Sequence, residues 1–365
     1  RIKMADYTNL LKLQGTDIIE IIKSMIPQAS ANWYRRPSLF TTTKNSVTIP
    51  AGTEVAINGK GYISESDTTI ALSTAGSNLN GKDVYIYALE TNKATPSFVL
   101  STNSTVPTGY TANNSRKIGG FHCLCKDVGT IEGHKLSGYT AGSILPLSCW
   151  DLRHRPQSNP EGMVYIDGLG LWVDIYLASW SGSNFQSVYN ATISDGASNP
   201  SFNGSKFQEY AGLCGKRPIS YNEFTVAAKG SNEQTNINGS ADPNTTGGHV
   251  DTNNRRMISN YGIEDLCGAI WQCGLDLFEN YPSSTWNSNS YYLDGYSWQK
   301  KSVYNSNDDM EYGSCIGLLR RVLLGGRWDD GAACGSRCAR CSVFSANAWS
   351  NGAVRLVSEP KILDI

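Results

Sequence analysis

Three cysteines, Cys334, Cys338 and Cys341, are the side chains whose type and spacing come closest to catalytic or metal chemistry. Soft thiolates favour Cu(I), so a copper-bound cysteine pair is one chemistry that the run CGSRCARC could support. Zinc is less well served. The paired CxxC knuckles of a tetrahedral site are missing, and His122, His134, His154 and His249 stand far from these cysteines in sequence. Asp329 and Asp330 are adjacent and would point to opposite faces of an extended strand, whereas calcium needs several converging oxygens. No Ser/His/Asp constellation, GxGxxG run or P-loop is readable. The expectation is a chain with no catalytic residue, no metal and no cofactor.

What remains is recognition. Arg327, Asp329, Asp330, Ala333, Arg340, Ser342, Val343 and Phe344 form a chemical mixture with neither helical nor alternating period, so something other than core packing chose them. They fall between two apolar-rich runs bounded by glycine, Arg321 to Leu324 and Ala353 to Val357, which read as buried strands. A loop held between strands is a common place for binding. Gly325, Gly326, Trp328, Ser336, Arg337 and Trp349 read as its frame, with Arg337 expected to hydrogen-bond loop carbonyls.

The elements that must position this segment are legible upstream. Gly162 to Ser179 holds two strand-like runs about a glycine turn, the second alternating Trp172, Asp174 and Tyr176 with Val173, Ile175 and Leu177. Polar loop sequence follows, up to Gly204. Ser220 and Glu223 form a capping-box pattern, which predicts a helix over about 221–229 that buries Tyr221, Phe224 and Ala228 and ends at Gly230. Arg255 to Cys273 reads as a turn and a strand containing Leu266, Ile270 and Trp271. Nearer the N-terminus, residues 1–29 read as a helical segment broken near Gly15 and stopped by Pro27. Short strands dominate residues 30–125, with Asn58-Gly59 placed for a type I′ hairpin turn. Residues 126–146, rich in Gly, Ser and Thr, read as a linker, and 147–365 as a second domain with its variable segment at 325–352. The fold class is α+β.

Composition narrows the function classes. With 40% apolar and 17% charged residues among 365, the chain can bury a substantial core. Its 31 basic residues nearly cancel 32 acidic ones, so no global field attracts nucleic acid or an anionic membrane. No apolar run approaches the roughly 18 residues that span a bilayer. Ten cysteines are too few and too irregular for a disulfide scaffold, and buried thiols packing as small hydrophobes are the simplest reading.

The run from Gly325-Gly326 through Trp328, Gly331 and Gly335-Ser336-Arg337 to Gly352-Ala353-Val354-Arg355-Leu356-Val357 resembles the variable region of diversity-generating retroelement target proteins. In that family, adenine-specific mutagenesis turns asparagine codons into hypervariable positions on a C-type-lectin fold. From such codons Asp, Ala, Arg, Ser, Val, Phe, Cys and Tyr are reachable, but Lys, Glu, Gln, Met and Trp are not. Residues 325–352 contain no Lys, Glu, Gln or Met, and Trp328 and Trp349 are scaffold by the same logic. GKRPISYNEFTVAAKGS and RRMISNYGIEDLCGAIWQC, followed by GGRW, have the order and spacing of the formylglycine-generating-enzyme-like branch of that fold. The match covers about residues 150–358. SVTIPAGTEVAINGKGY and NNSRKIGGFH are similar to N-terminal modules of phage tail and fibre proteins.

The resemblance implies a hypervariable receptor-binding protein on a phage tail, assembled in the host cytoplasm and carried on the virion, or a related binder displayed on a cell surface. Its partners would be a host cell-surface receptor, protein or glycan, and other tail proteins. A homo-oligomer such as a trimer stays open, and neither nucleic-acid binding nor membrane insertion is implied. The eight residues of mixed chemistry, from Arg327 to Phe344, would carry the contact. Two alternatives belong to other classes: a copper-dependent formylglycine-generating-type oxidase, from whose cysteine spacing CGSRCARC departs, and a structural fibre protein that binds nothing.

Overall fold

The computed structural model describes residues 33–198, 200–279, 290–294, 297–300, 314–316, 319–344 and 348–362; residues 278, 279, 342–344 and those between 290 and 319 are described by backbone alone. The helical segment read over 1–29 lies outside the described residues. The chain divides into two compact units. The first holds the described residues up to Asn78, with 83–121 and 149–154; the second holds 79–82, 122–148 and the chain from 155 onward.

In the first unit the strands are β1 (Tyr34–Arg35), β2 (Thr41–Thr42), β3 (Ser46–Ile49), β4 (Glu54–Ile57), β5 (Lys60–Ile63), β6 (Thr68–Ala71), β7 (Asp83–Leu89), β8 (Ser97–Ser101), β9 (Ser115–His122) and β10 (Trp150–Asp151). They form three sheets, ordered β1-β4-β5, β2-β3-β6 and β10-β9-β7-β8. Alternation explains β3, where Val47 and Ile49 are buried while Thr48 meets the Thr69 hydroxyl across the pair at 2.8 Å. Asn58 and Gly59 take φ of 47° and 78° between paired Ile57 and Lys60, which is the two-residue turn their sequence predicts.

The second unit contains β11 (Met163–Ile166), β12 (Leu171–Asp174), β13 (Ser179–Trp180), β14 (Phe185–Gln186), α1 (Gly204–Leu213), β15 (Arg217–Pro218), α2 (Tyr221–Ala227), β16 (Trp271–Glu279), β17 (Ser290–Asp294), β18 (Ser297–Lys300), β19 (Ser314–Ile316), β20 (Leu319–Leu324), β21 (Ala339–Phe344), β22 (Gly352–Ala353) and β23 (Leu356–Ser358). Two four-stranded sheets, β11-β12-β23-β15 and β21-β20-β16-β22, are its frame. Mostly strand with two α-helices among the described residues, the architecture is β-dominated.

α2 has both bonds of the capping box: Glu223 N–H donates to Ser220 Oγ at 3.4 Å, and Ser220 N–H to Glu223 Oε2 at 2.9 Å. Phe224, Ala227 and Ala228 are buried in one cluster with Val173, Ile175, Ile219, Leu266, Val322, Leu324 and Val357. That cluster joins α2 to both sheets.

Four expectations change. Arg340, Ser342, Val343 and Phe344 sit on β21, paired antiparallel to β20, rather than in a loop. Ala353 to Val357 is not one strand but β22 and β23, interrupted at Val354-Arg355. In the Arg255–Cys273 block, Leu266 and Ile270 are buried in the approach and the strand starts only at Trp271. Residues 126–146 carry Val128, Leu136 and Leu145 into the core of the second unit rather than spanning open solvent.

Candidate binding face

β20 and β21 form a hairpin, with Leu324 opposite Ala339 and Leu323 opposite Arg340, and residues 325–338 form its tip. Gly325 and Gly326 open the tip at φ of +87° and +86°. A Cβ on Gly325 would lie 2.2 Å from the Leu266 carbonyl oxygen, and one on Gly326 would lie 2.7 Å from Cys334 Sγ. Both glycines are therefore fixed by backbone geometry and by close approach.

Below the tip, Arg355 is fully buried. Its guanidinium donates to the carbonyls of Asp174 (2.9 Å), Ile175 (2.8 Å) and Glu264 (2.6 Å), and its Nε to Gln272 Oε1 at 2.9 Å. Gln272 Nε2 then donates to Leu266 O at 2.9 Å, the same oxygen that abuts Gly325. Burial pulls the Arg355 pKa down to about 10, which leaves it cationic at neutral pH. Asp174, also buried, is met by Lys216 Nζ at 2.6 Å. The carbonyl-bracing role expected of Arg337 belongs to Arg355: Arg337 is exposed, and its own carbonyl accepts from Tyr221 Oη at 3.4 Å.

The tip is held by its backbone. Arg327 forms a parallel bridge with Ala269, Asn236 Nδ2 donates to the Trp328 carbonyl, and Gln234 N–H donates to the Cys334 carbonyl at 2.9 Å. Trp328 packs its ring on Leu177, Ile193, Ile270 and Ala353 on one side and Ile237, Met257 and Ala269 on the other. Trp349 packs against the aromatic cluster that includes Phe202, Phe207 and Trp271. Ser336 contributes its backbone N–H, which meets the Glu233 carboxylate at 3.1 Å.

Of the eight residues expected to make contact, Asp329, Ala333 and Arg340 are exposed and Arg327 and Asp330 half-buried. Arg327 Nε pairs with Asp329 at 2.5 Å and stands 3.7 Å from Asp330, with its guanidinium 5.6 Å from the Trp328 ring centre. Asp330 also accepts the Arg327 N–H at 2.9 Å, so it shapes the turn as well as facing solvent. The backbones of Ser342, Val343 and Phe344 continue the hairpin on β21; their side chains lie outside the described residues. The structure thus brings four of the eight, Arg327, Asp329, Asp330 and Ala333, to one hairpin tip, with Arg340 on the adjoining strand β21. Sequence reading missed Glu233, Gln234 and Asn236, whose role depends on contacts distant in sequence.

The cysteines do not have reactive surroundings. Burial, then Asp330, pushes the Cys334 thiol up to about 12, and the same two causes push Cys338 up to about 11. Cys334 Sγ donates to the Arg327 carbonyl at 3.3 Å. The thiolate is the nucleophile, so these surroundings make both cysteines slow to react. Iodoacetamide at about pH 8 is expected to label Cys334 and Cys338 far more slowly than a free cysteine peptide, read by mass spectrometry of tryptic fragments. Fast labelling would show a reactive thiol at the tip and favour the oxidase reading.

Comparison with known proteins places this geometry. Residues 37–151 match the family model described as Mtd second domain. The tail fiber receptor-binding protein of Bordetella phage BPP-1 is 30% identical over 320 residues, spanning 82% of this chain and 76% of that protein. Among solved structures, the Major Tropism Determinant M1 variant superposes with a TM-score of 0.71 at 27% identity, over 95% of this chain and 88% of that one. The U1 variant gives 0.69 at 28% identity, over 94% and 88%. Sharing 30% identity over most of both lengths with the tail fiber receptor-binding protein, the chain belongs to the major tropism determinant family.

Proposed function

We propose that the β20–β21 tip is a host-receptor-binding face whose side chains are diversified on a fixed C-type-lectin scaffold, carried by a phage tail protein on the virion. One observation carries this reading. Asp329, Ala333 and Arg340 are exposed while the bonds that tie the tip to the rest of the unit run to its backbone atoms, so exposed side chains there change at little cost to the fold. The description of the Bordetella phage relative as a tail fiber receptor-binding protein supports the same assignment. The partner is a protein or glycan on the host surface, and the first unit joins the face to other tail proteins or to further copies of the chain. Contact by several copies on one particle raises effective concentration and offsets weak single-site affinity. No helix among the described residues is long and apolar enough to cross a membrane.

The test exchanges Asp329, Ala333 and Arg340 together for other adenine-reachable residues, as in Asp329→Tyr, Ala333→Ser and Arg340→Ser. Adsorption of purified chain to host cells is expected to change by about tenfold or more, because a few central residues dominate most interfaces. Thermal stability is expected to stay within roughly 0.5 kcal/mol of the parent, as for other surface changes. Unchanged adsorption would remove the tip from recognition. A template repeat carrying AAC or AAT at the eight codons, beside a reverse-transcriptase gene, would establish the diversification.

A further inference from the structure

Gly335 poses a question that its backbone does not answer. It is absent from the glycines with positive φ, so no turn conformation demands it. A Cβ there would instead lie 2.3 Å from Glu233 Oε2. The same carboxylate accepts the Ser336 N–H, with Oε1 at 3.2 Å and Oε2 at 3.1 Å. Its neighbour Gln234, held at a φ of 57°, donates its N–H to the Cys334 carbonyl at 2.9 Å. Two adjacent residues of one loop thus grip backbone on both sides of Gly335. The loop is itself anchored: Asn232 Nδ2 donates to the Cys267 carbonyl at 3.1 Å, and Thr235 Oγ1 to Asp251 Oδ2 at 2.8 Å.

We infer that Glu233 is a positioning residue for the binding face, a carboxylate clamp that sets the course of the tip backbone at Ser336 whatever side chains the tip displays, with Gly335 retained to admit it. The inference rests on the reading of the tip as a recognition face. Two features make the clamp indifferent to display. Its acceptor is a charged group on an exposed, separate loop, and its donor is a main-chain N–H that every residue but proline offers. The obstruction at Gly335 is the far end of a flexible side chain, so a methyl group there displaces Glu233 instead of straining the fold. Gly335→Ala and Glu233→Ala therefore remove one and the same bond by different routes.

Hydrogen exchange of the purified full chain, followed at the Ser336 amide, tests this without a receptor. Glu233→Ala is expected to speed that amide by about tenfold or more, since a hydrogen bond to a charged group is lost. Gly335→Ala should do the same, and the double variant no more than either alone, because both act on one contact. Glu233→Gln, whose amide oxygen still accepts, should restore most of the protection. The unfolding midpoint should fall by no more than about a few degrees, equally in Glu233→Ala, Gly335→Ala and the double variant, with Glu233→Gln near the parent; a general structural role for Glu233 would not give this pattern. Unchanged Ser336 exchange in Glu233→Ala, or effects that multiply in the double variant, would overturn the clamp. In a second arm, chains with two different tip sequences are measured for adsorption to host cells. Glu233→Ala should weaken both by the same factor, and unequal factors would refute a clamp indifferent to display. Failure of both parent chains to adsorb would count against the recognition reading, while the exchange result alone would still decide the clamp.

Discussion

Arg355→Ala unfolds or severely weakens the second unit: the expected loss is ~3–5 kcal/mol, the usual cost of removing one partner from a buried ionic network. Three main-chain carbonyls and the Gln272 side chain lose their donor at once, at a fully buried site. Asp174 keeps Lys216, but loses one of the nearby positive charges that favour its ionised form. Against a typical total of about 5–15 kcal/mol for a domain, such a loss is decisive. Denaturant titration of the full chain measures it, and Arg355→Lys should recover only part, because an ammonium cannot span four acceptors in a planar fork. Stability within about 1 kcal/mol of the parent for Arg355→Ala would show that the network is dispensable.

Gly325→Ala has the second largest expected effect, and it acts on the face as well as the fold. Holding an alanine at φ +87° costs about 1–2 kcal/mol, and forcing its Cβ past the Leu266 carbonyl at 2.2 Å adds about 1–3 kcal/mol. The Leu266 oxygen cannot retreat freely, since it also accepts from Gln272. The tip must move instead, which breaks the bond from Gly325 N–H to the Cys338 carbonyl, now 3.0 Å. Adsorption to host cells and thermal unfolding should therefore fall together, unlike the tip substitutions, which move adsorption alone. Native adsorption in Gly325→Ala would mean that the tip tolerates a different entry angle.

Local signals were the readable part of this chain. Asn58-Gly59, the Ser220/Glu223 box and the Gly325-Gly326 pair announce themselves because the determinants lie within a few residues of one another. α1 escaped, although Asn203 caps it by accepting the Lys206 N–H at 2.9 Å and Phe207, Tyr210 and Ala211 fall at helical spacing. Its polar surroundings masked a three-residue stripe. β21 escaped for a different reason: what makes it a strand is its pairing with β20 across residues 325–338, which its own residues do not announce. Arg355 and Arg337 were equally visible as arginines within a glycine-rich frame, and only the convergence of residues 174, 175, 264 and 272 separates a brace from an exposed side chain. Glu233 lies 103 positions from Ser336, beyond the reach of any motif.

The ion pairs within the tip carry a consequence for heredity. Arg327 engages Asp329 and lies near Asp330, whose carboxylate also accepts the Arg327 N–H. A change at codon 327 would leave two adjacent carboxylates with no counter-charge from that residue, and a change at 330 would alter the turn that presents 327. These three positions are epistatic: the fitness of each allele is conditional on the other two. Selection at this corner of the face thus acts on haplotypes of three codons, and a good binder arises there by joint replacement more readily than by single steps.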